Sequence, residues 1–185
     1  DHRTFLGSTM LLEHSLSDIL DNSTKSALFI TTDLVNFKHL INDRFGQSVG
    51  DEIIRLTSDA LRSTIRIHPR TYNDSLFRID RKDFEGSAYR IGGDEYAAIL
   101  VDGENLKHAD HEKILRNKIK AMLSAAELQD YLKELTVNGF GVRGSYCFID
   151  RTIFKNYAQI LKSADPKINT VCEYILVAKD NGFTL

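Results

Sequence analysis

The feature that most constrains the fold of this chain is a short acidic turn between two β-prone runs. The turn reads Arg-Ile-Gly-Gly-Asp-Glu-Tyr at residues 90–96, and it follows a β-prone run at 87–91 and precedes an apolar run that ends at 101. Two adjacent glycines between such runs are a strong signal for a tight hairpin. Gly92 and Gly93 have no Cβ, so their backbone is expected to take positive φ and to let a ligand approach closely.

Two acids, Asp94 and Glu95, come directly after the glycines. Asp and Glu are poor strand residues, so their position at a hairpin needs an explanation. Carboxylate oxygens are the ligands that Mg²⁺ prefers, and both side chains could face a metal ion and the phosphates that it holds. A solvent-exposed hairpin whose acids increase solubility would have the same sequence. The turn alone therefore leaves the metal-binding and the solubility interpretations open.

Composition excludes several classes of protein. A chain of 185 residues suits a single domain, taken as residues 1–185. Its 42% hydrophobic and 27% charged residues are ordinary for a soluble globular protein. The net charge of −2 argues against a general nucleic-acid surface, because such a surface needs many cations to neutralise phosphates.

The cellular context can be inferred from cysteines and apolar runs. Cys147 and Cys172 lack metal-ligand spacing, which favours the reducing cytoplasm. No apolar run approaches the ~20 residues of a membrane helix, so no membrane contact is expected from this segment. Because the chain does not begin with Met, we expect a domain excised from a longer multidomain protein. The upstream part would carry a sensor domain and could attach the domain to a membrane protein.

Hydrophobic periodicity predicts helices around a sheet. Apolar residues at helical spacing predict helices over residues 9–22, 52–65, 105–128 and 153–164. Residues 135–149 are rich in Val, Phe, Tyr and Gly, which predicts strands with a turn. The polar residues 66–86 are expected to form a surface excursion. The order β-α-β-β-α-β indicates an α+β fold with a central antiparallel sheet flanked by helices.

A second stretch gives the acidic turn a context. The β-prone residues 27–32 end at Asp33, followed by Phe-Lys at 37–38, Ile-Asn-Asp at 41–43 and Gly-Asp at 50–51. Together with the turn, this stretch resembles the GGDEF family of diguanylate cyclases. The opening and closing patterns of that family are also similar to Asp1, Thr4 and Leu6, and to Ala164-Asp165 and Ala178-Lys179.

The resemblance implies a fold and an activity. The fold would be the ferredoxin-like, palm-type β-α-β-β-α-β core of nucleotidyl cyclases, with Asp33 and the hairpin acids on adjacent central strands. The activity would be that of a diguanylate cyclase, an enzyme that condenses two GTP molecules into cyclic di-GMP and releases two pyrophosphates. Each subunit of a homodimer would present one GTP, and carboxylates would hold Mg²⁺ or Mn²⁺ against the phosphates.

The resemblance also implies a role for individual residues. The metal ligands would be Asp33, the main-chain carbonyl of Leu34 and Glu95, while Asp94 would either bind metal or assist proton removal. GTP would be bound by Phe37, Lys38, Asn42, Asp51, Gly92, Gly93 and Lys179. The pair Asn42 and Asp51 would read guanine, because a carboxylate accepts from the two donors of a guanine edge. Each residue alone has an ordinary explanation as cap, core or surface charge, but their joint order and spacing favour a site.

The chain departs from the family pattern at several positions. The segment His39-Leu40 is one residue longer than usual, and an extra helical residue rotates all subsequent residues of the helix by ~100° unless a bulge absorbs it. Phe183 stands where the family has Arg. The product-inhibition motif Arg-x-x-Asp is replaced by Asp83 and Gly86, so no product-inhibition site is expected.

Two other functions stay open beside the cyclase. A catalytically inactive GGDEF domain that binds GTP as a sensor, or that serves as a dimerisation and regulatory module, is favoured by the extra residue and the missing Arg. A palm-type nucleotidyl cyclase with another base is disfavoured by Asp51, which favours GTP over ATP. The cyclase is the preferred hypothesis because its acids are intact.

Overall fold

The structure is a computed structural model that describes residues 4–22, 27–65, 85–101, 106–150, 152–179 and 182–185. The strands are β1 (Ala27–Val35), β2 (Glu85–Arg90), β3 (Glu95–Val101), β4 (Gly141–Ile149), β5 (Cys172–Ile175), β6 (Val177–Lys179) and β7 (Gly182–Thr184). The helices are α1 (Thr9–Asn22), a π-helix (Lys38–Asn42), α2 (Asp43–Phe45), α3 (Gln47–Ile65), α4 (His111–Leu123), α5 (Ala126–Glu134) and α6 (Tyr157–Ser163). Of the predicted excursion 66–86 only the backbone of the last two residues is described, and Asp83 and Asp1 lie outside the described residues.

Five strands form one antiparallel sheet in the order β2-β3-β1-β4-β5. β1 is central, and every residue of it except Val35 is buried. The register places Asp33 of β1 opposite Glu95 of β3 on one side and opposite Arg143 of β4 on the other. The sheet and its flanking helices confirm the predicted α+β fold. The strands β6 and β7 form a separate hairpin.

Each face of the sheet carries its own core. One core joins the sheet to α3, α4 and α5 through residues such as Leu28, Ile53 and Leu115. The other joins it to α1 and α6 and includes Phe29 and Leu16. Because strand side chains alternate between faces, Asp33 shares the face of Phe29, which is the one that α1 and α6 cover.

The β2-β3 turn closes without the backbone conformation expected of its glycines. The Glu95 carbonyl accepts hydrogen bonds from the Ile91 amide at 3.0 Å and the Gly92 amide at 3.4 Å, and Glu95 is the first residue of β3. Neither Gly92 nor Gly93 has a positive φ, so that expectation is wrong. A Cβ on Gly92 would lie 2.7 Å from Glu95 Oε2, and the glycine instead makes room for the Glu95 side chain.

A π-helix forms at His39-Leu40, where the sequence comparison predicts one residue more than the family pattern. The Asp43 amide donates to the Lys38 carbonyl, five residues earlier, and to the Ile41 carbonyl. A π-turn holds one residue more than an α-turn, so the residues before and after it keep their directions. Ile41 is buried while His39 is exposed, with its Nδ1 atom 3.0 Å from Asp43 Oδ2. The rotation of ~100° that an extra α-helical residue would impose is thereby avoided.

The structure corrects several predicted boundaries. The helix predicted over 105–128 is two helices, α4 and α5, and residues 102–105 lie outside the described residues. The Gln129 side chain donates to the Leu123 carbonyl at 2.8 Å, which satisfies a free carbonyl where α4 ends. The strands predicted over 135–149 are the single strand β4. The helix predicted over 153–164 begins only at Tyr157, because Asn156 caps it by accepting from the Gln159 amide at 3.1 Å.

Among the described helices, none combines the length and the apolar character that crossing a bilayer requires.

Deleting His39 tests the role of the π-helix. With one residue fewer, the segment can close as an α-turn, and only the exposed contact between His39 and Asp43 is lost. We expect the free energy of unfolding, measured by urea denaturation, to change by less than about 1 kcal/mol.

The control for this deletion is removal of Arg55, which is also exposed but lies within α3. This deletion turns the buried Leu56 and Leu61 away from the core by ~100° and should cost more than about 3 kcal/mol. Similar losses in the two variants would contradict absorption of the extra residue by the π-helix.

Candidate functional site

Three carboxylates meet at the end of β1 and form an acidic triad of Asp33, Asp94 and Glu95. One oxygen of each lies within 4.8 Å of the other two. The register sets Asp33 opposite Glu95, and the Leu34 amide donates to the Asp94 carbonyl at 3.1 Å. The pairing of β1 with β3 therefore fixes both acids of the turn against Asp33.

Among the described residues, Arg143 and Lys167 form ion pairs with the triad. Arg143 of β4 donates to Asp33 Oδ2 from Nε at 2.7 Å and from Nη2 at 2.6 Å. Lys167 forms a hydrogen bond to Glu95 Oε1 through its Nζ atom, which also lies 3.6 Å from Asp33 Oδ1. Because Asp33 is only 2% exposed, its charge needs such partners.

Lys167 is positioned by a turn that comes after α6. The Thr31 hydroxyl of β1 donates to the Ala164 carbonyl and ties the end of α6 to the strand that carries Asp33. The Asp165 side chain accepts from the Lys167 amide at 2.8 Å, and the Asp165 carbonyl accepts from the Asn169 amide at 2.8 Å. The backbone at Lys167 is thus held, while its side chain, 48% exposed, extends to the triad.

The acidic triad suits a divalent cation. Asp33 Oδ1 is buried and has no hydrogen-bond partner among the described residues. A buried oxygen without a partner is costly, and a metal ion would satisfy it. Carboxylate oxygens within 4.8 Å of one another can share one ion, because each ligand lies about 2.0–2.6 Å from a bound Mg²⁺ or Ca²⁺.

The charges of the site shift two pKa values. Burial raises the pKa of the Asp94 carboxyl above its ordinary value, and the neighbouring Asp33 carboxylate raises it further. The hydrogen bond to Glu95 raises the pKa of Lys167, and the charge of Asp33 acts in the same direction. Lys167 therefore stays protonated at neutral pH and offsets part of the negative charge of the triad.

A cleft of about 570 Å³ lies between α3 and the β2-β3 turn. Its size is typical of a pocket for a small ligand. Its lining includes these predicted site residues: Phe37, Lys38, Asn42, Asp51, Gly93 and Asp94. The structure thus brings the predicted base-reading pair and one acid of the triad to a common cleft.

Gly50 allows Asn42 to lie against α3. A Cβ on Gly50 would be only 2.0 Å from Asn42 Oδ1 and 3.3 Å from Cζ of Phe37. The Asn42 amide therefore rests on the helix backbone one residue before Asp51, which is exposed. Packing alone thus requires glycine in the Gly-Asp pair at 50–51.

A second cleft, of about 270 Å³, opens beside Asp33 and Asp94, whereas Glu95 lines a separate cavity of about 310 Å³ that faces α1 and α6. Asp33, Leu34, Asp94, Arg143 and Lys167 line the second cleft. Lys38 and Phe37 line both clefts, so they connect the triad to the larger cleft. Phe37 is also buried in the core, so its ordinary structural role and its predicted ligand role coexist.

Three predicted site residues line neither of these two clefts: Glu95, Gly92 and Lys179. Lys179 is exposed in β6 and is absent from the lining of both clefts. Gly92 lies against the Glu95 side chain and not in the lining of the larger cleft.

Sequence reasoning missed four residues: Arg90, Gln47, Arg143 and Lys167. The first two line the larger cleft, and Arg90 donates to the Gly93 carbonyl at 2.8 Å. A signal existed for Arg143, because a lone Arg within a strand of largely buried residues needs an acidic partner. Lys167 has no such signal, because it lies in a turn outside any periodic segment.

Comparison with known sequences identifies the family. The sequence model of the family described as "Diguanylate cyclase, GGDEF domain" matches residues 1–171. Diguanylate cyclase DgcS of Shewanella oneidensis is 32% identical over 103 residues, which cover 54% of this chain and 29% of that relative. The match therefore spans less than a third of the length of the curated relative.

Comparison with solved structures gives the fold independently. The GGDEF domain of DgcB from Caulobacter crescentus, solved with c-di-GMP, superposes with a TM-score of 0.56 at 16% identity, covering 89% of this chain and 84% of that one. Diguanylate cyclase SiaD from Pseudomonas aeruginosa, solved with its activator SiaC, gives a TM-score of 0.59 at 16% identity, covering 89% of this chain and 54% of that one. With the family match over most of its length, this chain belongs to the GGDEF-domain family of diguanylate cyclases.

Proposed function

We propose that this chain is a diguanylate cyclase domain that condenses two GTP molecules into cyclic di-GMP and two pyrophosphates. The observation that carries the proposal is the acidic triad, in which Asp33 lies opposite Glu95 and near Asp94, beside a cleft of about 570 Å³. The matched relative DgcS is named for the same activity. A cytoplasmic location and regulation by a sensor domain in a longer protein belong to this proposal.

The triad would hold the divalent ion, Mg²⁺ or Mn²⁺. Asp33, Glu95 and the Leu34 carbonyl are the proposed ligands, with Asp94 as the adjacent carboxylate. Such an ion supplies positive charge to the phosphates during phosphoryl transfer. The contribution of this chain is to hold the oxygens together in advance, through the β1-β3 register and the room that Gly92 leaves for Glu95.

The larger cleft would hold the guanine base. Asp51 offers two carboxylate oxygens to the N–H donors of a guanine edge, and Asn42 offers an amide beside it. Adenine has no such pair of adjacent donors, so the charge of Asp51 favours GTP. Gly93 lines the cleft, and a Cβ there would meet no atom within 4 Å, which leaves room for a ligand against the turn.

The triphosphate would extend from the larger cleft to the triad. Lys38 lines both clefts and can neutralise phosphate charge along that path. Lys179 stays a predicted phosphate contact, although it lies outside both clefts. Because the described part of the chain offers one such cleft beside one triad and the product joins two nucleotides, the proposal requires a second copy of the chain facing the first.

A GTP-binding module without turnover is the second candidate. The contact of Lys167 with Glu95 and its proximity to Asp33 favour it, because a lysine there competes with a metal ion. Phe183 of β7 also favours this second candidate, because the family has Arg at the corresponding position. Such a module would bind GTP and serve as a sensor or as a dimerisation partner.

Replacing Glu95 by Gln tests the cyclase activity. The substitution keeps the size of the side chain but removes the negative charge, so cyclic di-GMP formation should fall by about a hundredfold. The measurement is chromatographic detection of the product from GTP and Mg²⁺ at high protein concentration. Glu127→Gln, in an exposed position of α5, is the control and should keep the activity of the parent chain.

The outcome of this assay separates the two candidates. Product formed by the parent and lost in Glu95→Gln supports the cyclase. Metal-dependent GTP binding by the parent without product, even when the chain is fused to a dimeric partner, supports the sensor module and contradicts the cyclase.

Replacing Asp51 by Asn tests base recognition. Asn keeps one acceptor oxygen and adds a donor, so GTP binding should weaken by about tenfold or more, as expected for a lost hydrogen bond to a charged group. Inosine triphosphate lacks the exocyclic amine of guanine, so the parent should prefer GTP to inosine triphosphate and the variant should lose most of that preference. Calorimetric titration of both nucleotides measures it.

The matched control for Asp51→Asn is Asp43→Asn. Asp43 is also exposed and close in the chain, but its carboxylate lies 3.0 Å from His39 Nδ1 and is not in the lining of the larger cleft. Equal preference for the two nucleotides in the parent chain would refute the assignment of Asp51 to the base.

A further inference from the structure

Lys167 contacts the acidic triad although no predicted motif includes it. Its Nζ atom forms a hydrogen bond to Glu95 Oε1 and lies 3.6 Å from Asp33 Oδ1. Both atoms belong to residues that we assign to the metal ion, and Asp33 Oδ1 has no hydrogen-bond partner among the described residues. The ammonium group of Lys167 therefore lies next to the carboxylate oxygens that, in the proposed function, would bind a divalent cation.

We propose that Lys167 is an exchangeable counter-ion of the triad, which leaves Glu95 and Asp33 for the phosphates when a nucleotide and its metal ion bind. This inference rests on the proposed function, because it assumes that the two clefts take a nucleoside triphosphate. Its consequence is that the metal ion and the nucleotide bind cooperatively.

The two cations at Asp33 differ in how firmly they are held. Arg143 places two donors on Asp33 Oδ2 at 2.6–2.7 Å and lies in a strand paired on both sides. Lys167 reaches Asp33 Oδ1 only at 3.6 Å, and its side chain is 48% exposed. An ammonium group on a flexible, half-exposed chain exchanges partners at little cost, whereas a guanidinium with two aligned donors does not. Arg143 is therefore the fixed cation and Lys167 the exchangeable one.

Charge balance makes the exchange depend on the nucleotide. Three carboxylates with Arg143 and Lys167 leave the site close to neutral, so a metal ion alone must displace Lys167 into water or bind beside it. A triphosphate brings several negative charges to the same cleft, which Asp33, Lys38 and Lys167 line together. The displaced ammonium group of Lys167 then pairs with phosphate oxygens instead of water. The carboxylates that it leaves are then available to bind the metal ion.

The turn that carries Lys167 fits this role. Asp165 and Thr31 hold its backbone, so only the side chain has to move. Lys179, the phosphate-binding lysine that the resemblance implies, is absent from this cleft. Of the two lysines that line this cleft among the described residues, Lys38 and Lys167, Lys167 is the one that follows α6.

Binding of Mn²⁺ in the absence of nucleotide tests the first half of the proposal. We expect Lys167→Met to bind Mn²⁺ about tenfold more tightly than the parent chain, measured by the paramagnetic resonance signal of free Mn²⁺. Lys167→Arg keeps the charge and should show no gain in Mn²⁺ affinity over the parent. Lys113→Met, exposed in α4 on the other face of the sheet, removes the same charge and should leave Mn²⁺ affinity unchanged.

Unchanged or weaker Mn²⁺ binding in Lys167→Met would overturn the proposal. An equal gain in Lys113→Met would also overturn it, because the effect would then reflect net charge only. Thermal unfolding of each variant shows that the fold is intact, which is expected for substitutions of exposed side chains.

Binding of α,β-methylene GTP at saturating Mn²⁺ tests the second half. This analogue cannot be turned over, and we expect Lys167→Met to bind it about fivefold more weakly than the parent, while Lys113→Met binds it unchanged. Unchanged affinity in Lys167→Met would overturn the transfer of Lys167 to the phosphates. If the parent binds no guanine nucleotide while Lys167→Met gains Mn²⁺ affinity, the proposed function fails and the counter-ion role stands.

Discussion

The structure of this site depends on one carboxylate buried at the end of the central strand. Asp33 is 2% exposed, and an isolated charge at such a position would be strongly destabilising. The antiparallel register solves this by setting Arg143 opposite Asp33 on one neighbouring strand. Buried ion pairs rarely add stability over apolar residues of similar size, so the pair is better explained by function than by folding.

Three local departures from regular structure set the remaining groups around Asp33. Gly92 has no side chain and so leaves space for Glu95 at the start of β3. Gly50 has none either, which lets Asn42 lie against α3. The π-helix takes up the extra residue between Lys38 and Asn42, so both line the larger cleft. π-turns are frequent at functional sites, and here the irregularity keeps a lengthened segment compatible with the cleft. The scaffold is therefore regular, and the adjustments are concentrated at the site.

The sequence predicts this fold well because its signals are local. Hairpin glycines, a β-prone run ending in Asp33 and helical periodicity suffice for the antiparallel α+β architecture. Boundaries are less predictable where a side chain competes with the backbone, as Gln129 does at the end of α4 and Asn156 does before α6. The positive φ expected at Gly92 was wrong because the glycine is needed for space beside Glu95. The proximity of the three acids, and that of Asn42 to Asp51, are predictable because these residues lie on motifs. Lys167 is 72 positions from Glu95 in the chain, and the Thr31 contact that ties the end of α6 to β1 brings the two together.

The resident cations also bear on how the two candidate functions relate. In an active cyclase and in a GTP-binding module alike, the triad has to stay folded before any ligand arrives, and Arg143 and Lys167 supply the charge that this requires. The difference lies in whether Lys167 gives up Glu95 once phosphates are present. On this proposal, a lysine that exchanges would leave the carboxylates to the metal ion, whereas one that remains would keep the metal ion from Glu95 and prevent turnover. The proposal thus makes a single side-chain equilibrium at the triad the difference between the two candidate functions of this chain.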